Sequence, residues 1–204
     1  MENSNIKTIL IGDTAVGKSS IYGRVNSNEF NSRHNPTISG EYTTKCVISE
    51  SGVEHVIGIW DTAGQERYRT IVPLFFKDAK LAFIVYDITS FDTFKNIDSW
   101  AEMARNNAPE NVILFLIGNK KDLDEKRAVS FDSALEKGRE MGVSFTTEVS
   151  ALTNEGIDEL LQMAVNCYEQ NLCHHQIKEM KHSNTVKLTD TAGNGSAQQN
   201  SCPC

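Results

Sequence analysis

Eight residues early in the chain, Gly12-Asp13-Thr14-Ala15-Val16-Gly17-Lys18-Ser19, fit the pattern G-x-x-x-x-G-K-[ST]. The glycines let the backbone curl so that its N–H groups point inward at phosphate oxygens. An apolar run before the motif and a helical pattern after it predict a strand and a helix. The N-terminus of that helix adds partial positive charge. Lys18 supplies a point charge for β- and γ-phosphates, and Ser19 a hydroxyl for Mg²⁺. A glycine turn before an ordinary basic helix would look similar without that context. Alone, the motif specifies a nucleoside triphosphate and no particular base.

A second group, Asn119-Lys120-Lys121-Asp122, directly follows a buried apolar run. In an open parallel sheet, ligands bind beyond the carboxyl ends of the strands. A carboxylate there can accept hydrogen bonds from the guanine N1–H and exocyclic amine. Adenine presents no such donor pair and would leave Asp122 unpaired. The tetrapeptide by itself is a charged surface turn; its order and spacing after the phosphate loop make it a base reader. An ATP-dependent kinase of the same loop class fails on these residues. A third group, Asp61-Thr62-Ala63-Gly64-Gln65-Glu66, ends another apolar run.

The elements that must position these groups read as a parallel α/β sheet, because short apolar runs alternate with helical patterns. Strands are predicted at Ile6–Ile11, Glu41–Ser49, Val53–Trp60, Leu81–Asp87, Val112–Gly118 and Val143–Val149. The turn signal Glu50-Ser51-Gly52 joins the second and third as a hairpin. Helices are predicted at Gly17–Val25, Phe91–Asn106, Ser130–Met141 and Asn154–Tyr168. Asn154 is the expected N-cap of the last, with Ile157, Leu160, Leu161, Ala164 and Val165 on one face.

The chain has 204 residues, enough for one domain and an extra segment, with 39% hydrophobic residues for a core. Its net charge of −7 is not that of a nucleic-acid binder. Residues 1–10 show no basic start with an apolar stretch, so no secretory signal is expected. Leu81–Tyr86 and Val112–Ile117 are too short to span a bilayer. Five scattered cysteines, an odd number, argue against a disulfide framework. After Tyr168 there is no aromatic residue. From Ser183 onward Ser, Thr, Asn, Gln and Gly dominate, which predicts a flexible tail. The expected domains are 1–168 and a hypervariable tail, 169–204.

Over roughly Ile6 to Tyr168 the sequence resembles the Ras superfamily of small GTPases. The resemblance implies a Ras-like domain with a mostly parallel six-stranded sheet, helices on both faces, and a cycle between GTP and GDP. It places Asp13 to Ser20, including Ser20, in the nucleotide site. It gives guanine reading to Asn119, Lys120 and Asp122. Ser150-Ala151-Leu152 matches the family's Ser-Ala-Lys, with Leu152 departing. Phe30 falls where the family sets an aromatic against the base, although an ordinary core phenylalanine reads the same. Asp61 and Thr37 would join Ser19 around Mg²⁺, the Gly64 N–H would meet the γ-phosphate, and Gln65 would orient the attacking water. Loss of the γ-phosphate would release the loops around Thr37 and Gly64. A scaffold that holds nucleotide without hydrolysing it is the competing possibility, opposed by Gln65, Thr37 and Asp61.

Trp60-Asp61-Thr62-Ala63-Gly64-Gln65-Glu66-Arg67-Tyr68 resembles the Rab form of the motif, and Ser39 stands where that pattern usually has glycine. Tyr42, Trp60 and Phe75 match an aromatic triad that Rabs show to effectors; core packing would also explain Trp60. The terminus Cys202-Pro203-Cys204 resembles a doubly geranylgeranylated tail. Residues 169–204 hold three lysines and three acids, so no polybasic patch assists, and stable anchoring needs two signals. A metal pair with His174 and His175 is the alternative. Implied partners are an exchange factor, a GTPase-activating protein supplying an arginine, a Rab escort protein, a dissociation inhibitor and effectors. The implied location is the cytoplasmic face of an intracellular membrane, exchanging with cytosol.

Overall fold

The computed structural model describes residues 5–30, 40–62 and 75–172. The chain divides into two units, Met1–Tyr168 and Glu169–Cys204; only residues 169–172 of the second are described.

Six strands form one sheet in the order β2-β3-β1-β4-β5-β6. They are β1 (Asn5–Ile11), β2 (Glu41–Ile48), β3 (Glu54–Asp61), β4 (Leu81–Asp87), β5 (Ile113–Asn119) and β6 (Phe145–Glu148). Only β2 runs antiparallel to its neighbour, through the predicted hairpin, whose turn closes when the Ser49 N–H donates to Val53 O at 2.8 Å. The other pairs are parallel. Among the described residues, the α-helices that cover the sheet include α1 (Lys18–Ser27), α2 (Phe91–Lys95), α3 (Ile97–Asn107), α4 (Phe131–Met141) and α5, which begins at residue 157.

Every residue of β4 and β5 is buried, as strands covered on both faces must be. The period-2 alternation sorts their side chains into two cores. Leu81, Phe83, Val85, Phe115 and Ile117 pack on one face with Ile21 and Val25 of α1 and Ile157, Leu160, Leu161, Ala164 and Val165 of α5. Ala82, Ile84, Tyr86, Leu114 and Leu116 pack on the other with Ile97, Ala101 and Ala104 of α3 and Ala134 and Met141 of α4. The expected apolar face of the last helix is thus the one that is buried.

Three local expectations are corrected. Asn154 does not cap the last helix: it is left-handed, at φ 68°. A bridge between Ser150 and Glu155 extends the loop past it, so that helical residues begin at 157 and Gly156 O accepts from the Leu160 N–H. The helix expected over 91–106 is two, separated at Asn96. The last strand begins at Phe145 rather than Val143, because the Val143 N–H closes the end of α4 by donating to Gly138 O.

Candidate functional site

The carboxyl ends of the central strands bring the motifs to one edge of the sheet. Leu10 is in register with Asp61, Ile11 with Ile84, and Asp87 with Asn119. The phosphate loop, Asp61 and the Asn119–Asp122 segment therefore leave neighbouring strands at one level.

The phosphate loop runs from β1 into α1, whose first residue is Lys18. Gly17 precedes it at φ 96°, and a Cβ there would overlap the Asn119 amide nitrogen. Both the left-handed backbone and the close approach require glycine. Lys18 is buried, and its Nζ donates to Gly12 O at 2.8 Å and Asp13 O at 2.6 Å. An ammonium has three N–H donors. Two draw the ends of the loop together, leaving one for an anion. Burial pushes the Lys18 amine down to about 8, partly opposed by the charges of Asp61 and Asp13. A nearby phosphate would restore its full charge. Val16 turns its side chain into the core, while Thr14 and Ala15 are exposed and Ser19 and Ser20 half-buried. Asp13 turns its carboxylate onto α3.

Asn119, the last residue of β5, is the hub. Its Nδ2 donates to Val16 O at 2.8 Å, and its Oδ1 accepts from the Ala151 N–H at 3.1 Å. One buried amide thus fastens the phosphate loop to the loop after β6. Ser150 Oγ donates to Asp122 Oδ1 at 2.5 Å, which fixes the direction of an otherwise exposed carboxylate. Lys120, left-handed at φ 69°, sets its ammonium 2.6 Å from Asp87 Oδ2. Burial alone would raise the Asp87 pKa, but hydrogen bonds from Lys120 and Thr89 outweigh it and hold the carboxyl below its ordinary value. Lys120 and Asn119 therefore brace the loops at this edge of the sheet.

Four residues make contacts that no local sequence pattern reveals. Arg24 of α1 donates from Nε to Ala151 O at 2.7 Å and from Nη2 to Leu152 O at 2.5 Å. Its guanidinium carbon lies 5.8 Å from the centre of the Phe30 ring. It holds the loop that contains the Leu152 departure, yet its partners are 127 and 128 residues away in the chain, which no local pattern reveals. Thr62 donates to Leu10 O at 2.5 Å and ties the segment after β3 to β1. Asn96 and Trp100 meet Asp13.

Asp61 is buried at the end of β3, with Ser19 in the first turn of α1. Their hydroxyl and carboxylate oxygens are hard donors of the kind Mg²⁺ takes, and that ion commonly uses few protein ligands beside phosphates. Among the described residues, no three His, Cys, Asp or Glu gather as a metal site. Thr37, Gly64, Gln65, Cys202 and Cys204 lie outside the described residues, as do Ser39, His174 and His175.

The three aromatics form one cluster on the hairpin side of the sheet. Tyr42 pairs with Trp60 across β2 and β3, with ring centres 4.7 Å apart, and Trp60 lies 6.0 Å from Phe75. Gly58 makes room for this arrangement, because a Cβ there would come within 2.8 Å of the Tyr42 hydroxyl. Tyr42 remains exposed, while Trp60 also packs on the second core. Trp60 is itself half-buried.

The Ras family sequence model matches residues 7–170. The GTP-binding protein ypt3 of Schizosaccharomyces pombe is 41% identical over 156 residues, which is 76% of this chain and 72% of that protein.

Proposed function

The chain belongs to the Ras family and is a Rab-like small GTPase that hydrolyses GTP and acts in vesicle trafficking, and from that premise we propose how its own residues carry out the cycle. The observation that carries the proposal is Asn119, whose one side chain joins the phosphate loop to the base-side loop. Phosphates lie in the loop from Asp13 to Ser20, with Lys18 bringing charge to the β- and γ-phosphates. Asp122 accepts from the guanine edge, aimed by Ser150, while Phe30 and Leu152 cover the base, steadied by Arg24. Residues 1–168 form the switch domain and 169–204 a tail.

Ser19, Asp61 and Thr37 would hold Mg²⁺, which when bound neutralises charge on the β- and γ-phosphates. Gln65 orients the attacking water, and the Gly64 N–H and Thr37 sense the γ-phosphate. Transfer to water breaks the bond between the γ-phosphorus and the bridging oxygen, leaving GDP and inorganic phosphate. Gln65→Leu is expected to keep GTP affinity within about twofold and slow single-turnover hydrolysis at least about tenfold, since it removes water positioning and no ground-state contact. An unchanged rate would remove Gln65 from this role.

Tyr42, Trp60 and Phe75 present the surface for effectors in the GTP form. Regulators that exchange nucleotide, supply an arginine for hydrolysis, and escort or extract the lipidated chain complete the cycle. No helix among the described residues is long and apolar enough to cross a membrane. Prenyl groups on Cys202 and Cys204 would hold the protein at the cytoplasmic face of an intracellular membrane. Since the tail carries no net basic charge, both lipids are needed. Cys204→Ser, singly prenylated on Cys202, is expected to shift from sedimenting vesicles to the soluble fraction. Membrane retention equal to wild type would contradict the two-lipid anchor.

A further inference from the structure

A carboxylate is an awkward side chain in a loop that must hold phosphates, because like charges repel at short range. Asp13 is the second residue of this loop, and each of its two carboxylate oxygens accepts a hydrogen bond. Its Oδ1 accepts from Trp100 Nε1 at 2.8 Å, and its Oδ2 accepts from Asn96 Nδ2 at 2.8 Å. Its own backbone carbonyl accepts from Lys18 Nζ at 2.6 Å. The residue is therefore gripped on two sides, by α3 through its side chain and by the phosphate lysine through its carbonyl.

The two donors are placed by the break in the helical run. Asn96 separates α2 from α3, and Trp100, four residues on, shares its helix face. Both are neutral. They orient the carboxylate without adding a cation that would pair with it or alter the charge around the phosphates. Hydrogen bonds to a charged acceptor are stronger than those between neutral groups, so two of them fix Asp13 firmly. Without them the carboxylate is free to turn toward Lys18, whose ammonium already touches the same residue, and to compete with the nucleotide for it.

We propose that Asn96 and Trp100 are positioning residues of the phosphate loop, which hold the Asp13 carboxylate on both oxygens and thereby slow nucleotide release. This rests on the guanine-nucleotide site described above and adds to it a control point on α3. Each acts through Asp13, the group their side chains hold.

The test is release of fluorescently labelled GDP from the full chain, chased with excess unlabelled GDP in the presence of Mg²⁺. It compares wild type, Asn96→Ala and Trp100→Phe, each also in an Asp13→Ala background. Asn96 is exposed, so its truncation leaves both cores intact, and Trp100→Phe keeps a ring while removing the N–H. Each single variant is expected to speed release by roughly tenfold, the scale of one hydrogen bond to a charged group. In the Asp13→Ala background neither should speed it further, because the group they hold is gone. Release at the wild-type rate would overturn the proposal. So would an equal acceleration with and without Asp13, which would mark a general effect on helix packing. A wild-type chain that bound no labelled GDP would overturn the underlying site as well, whereas normal wild-type binding with unaffected variants would overturn this proposal alone.

Discussion

Replacing Asp122 with asparagine is expected to lower GTP affinity by about two to four orders of magnitude and to create affinity for xanthosine triphosphate. Guanine offers two adjacent donors, its N1–H and its exocyclic amine, and a carboxylate accepts from both. Hydrogen bonds to charged groups are worth roughly 1.5–3 kcal/mol each, and losing two gives the expected range. Asparagine does worse than remove an acceptor. Ser150 Oγ donates to Oδ1 at 2.5 Å, so the amide oxygen is retained there and the NH₂ group faces the base, donor against donor. Xanthine carries a carbonyl at the position of the guanine amine and accepts from that NH₂. Competition binding with GTP, XTP and ATP checks this. Unchanged GTP preference in Asp122→Asn would show that the carboxylate does not read the base.

Asn119→Ala is expected to be the most damaging single truncation in the site. Asn119 is 1% exposed, and its partners Val16 and Ala151 are equally enclosed. Removing the amide leaves a backbone carbonyl and a backbone N–H unsatisfied, at roughly 1–3 kcal/mol apiece. It also leaves a cavity beside Gly17, whose missing Cβ exists to admit that amide. The nucleotide-free protein should lose roughly 2–6 kcal/mol of unfolding free energy, read as a fall in the urea midpoint. Nucleotide should leave at least about a hundredfold faster, because phosphate and base loops are no longer fastened together. A unchanged midpoint with fast release would mean that Asn119 acts on the nucleotide alone; an unchanged release rate would contradict its place as the hub.

The parts of the fold that were legible share a cause. β4 and β5 are covered on both faces, so burial forces near-continuous apolar runs, and their extents in the sequence fall within a residue of those in the structure. The strand–loop–helix turn at Gly17 was legible because its backbone needs glycine at a fixed place. What was hidden depends on distant partners. Asn154 has the composition of a cap, yet the Ser150–Glu155 bridge gives it a left-handed turn position instead, which asparagine tolerates. The helix from Phe91 keeps its periodicity through Asn96, so nothing local marks the break. Arg24 looks like a solvated helix arginine until the loop from Ala151 to Leu152 folds against it. The motif groups Asn119 and Lys120 with Asp122, but their bracing contacts with Val16, Ala151 and Asp87 appear only in three dimensions.

The central claim, a guanine-nucleotide switch that hydrolyses its ligand, is tested most directly on the purified protein itself. Nucleotide is extracted and identified, and the emptied protein is then reloaded and followed through a single turnover with GTP and, separately, ATP. GDP or GTP is expected in stoichiometric amount, GTP is expected to be slowly converted to GDP and phosphate, and ATP to be neither retained nor cleaved. Recovery of an adenine nucleotide, or a protein that holds GTP indefinitely without cleaving it, would contradict that claim.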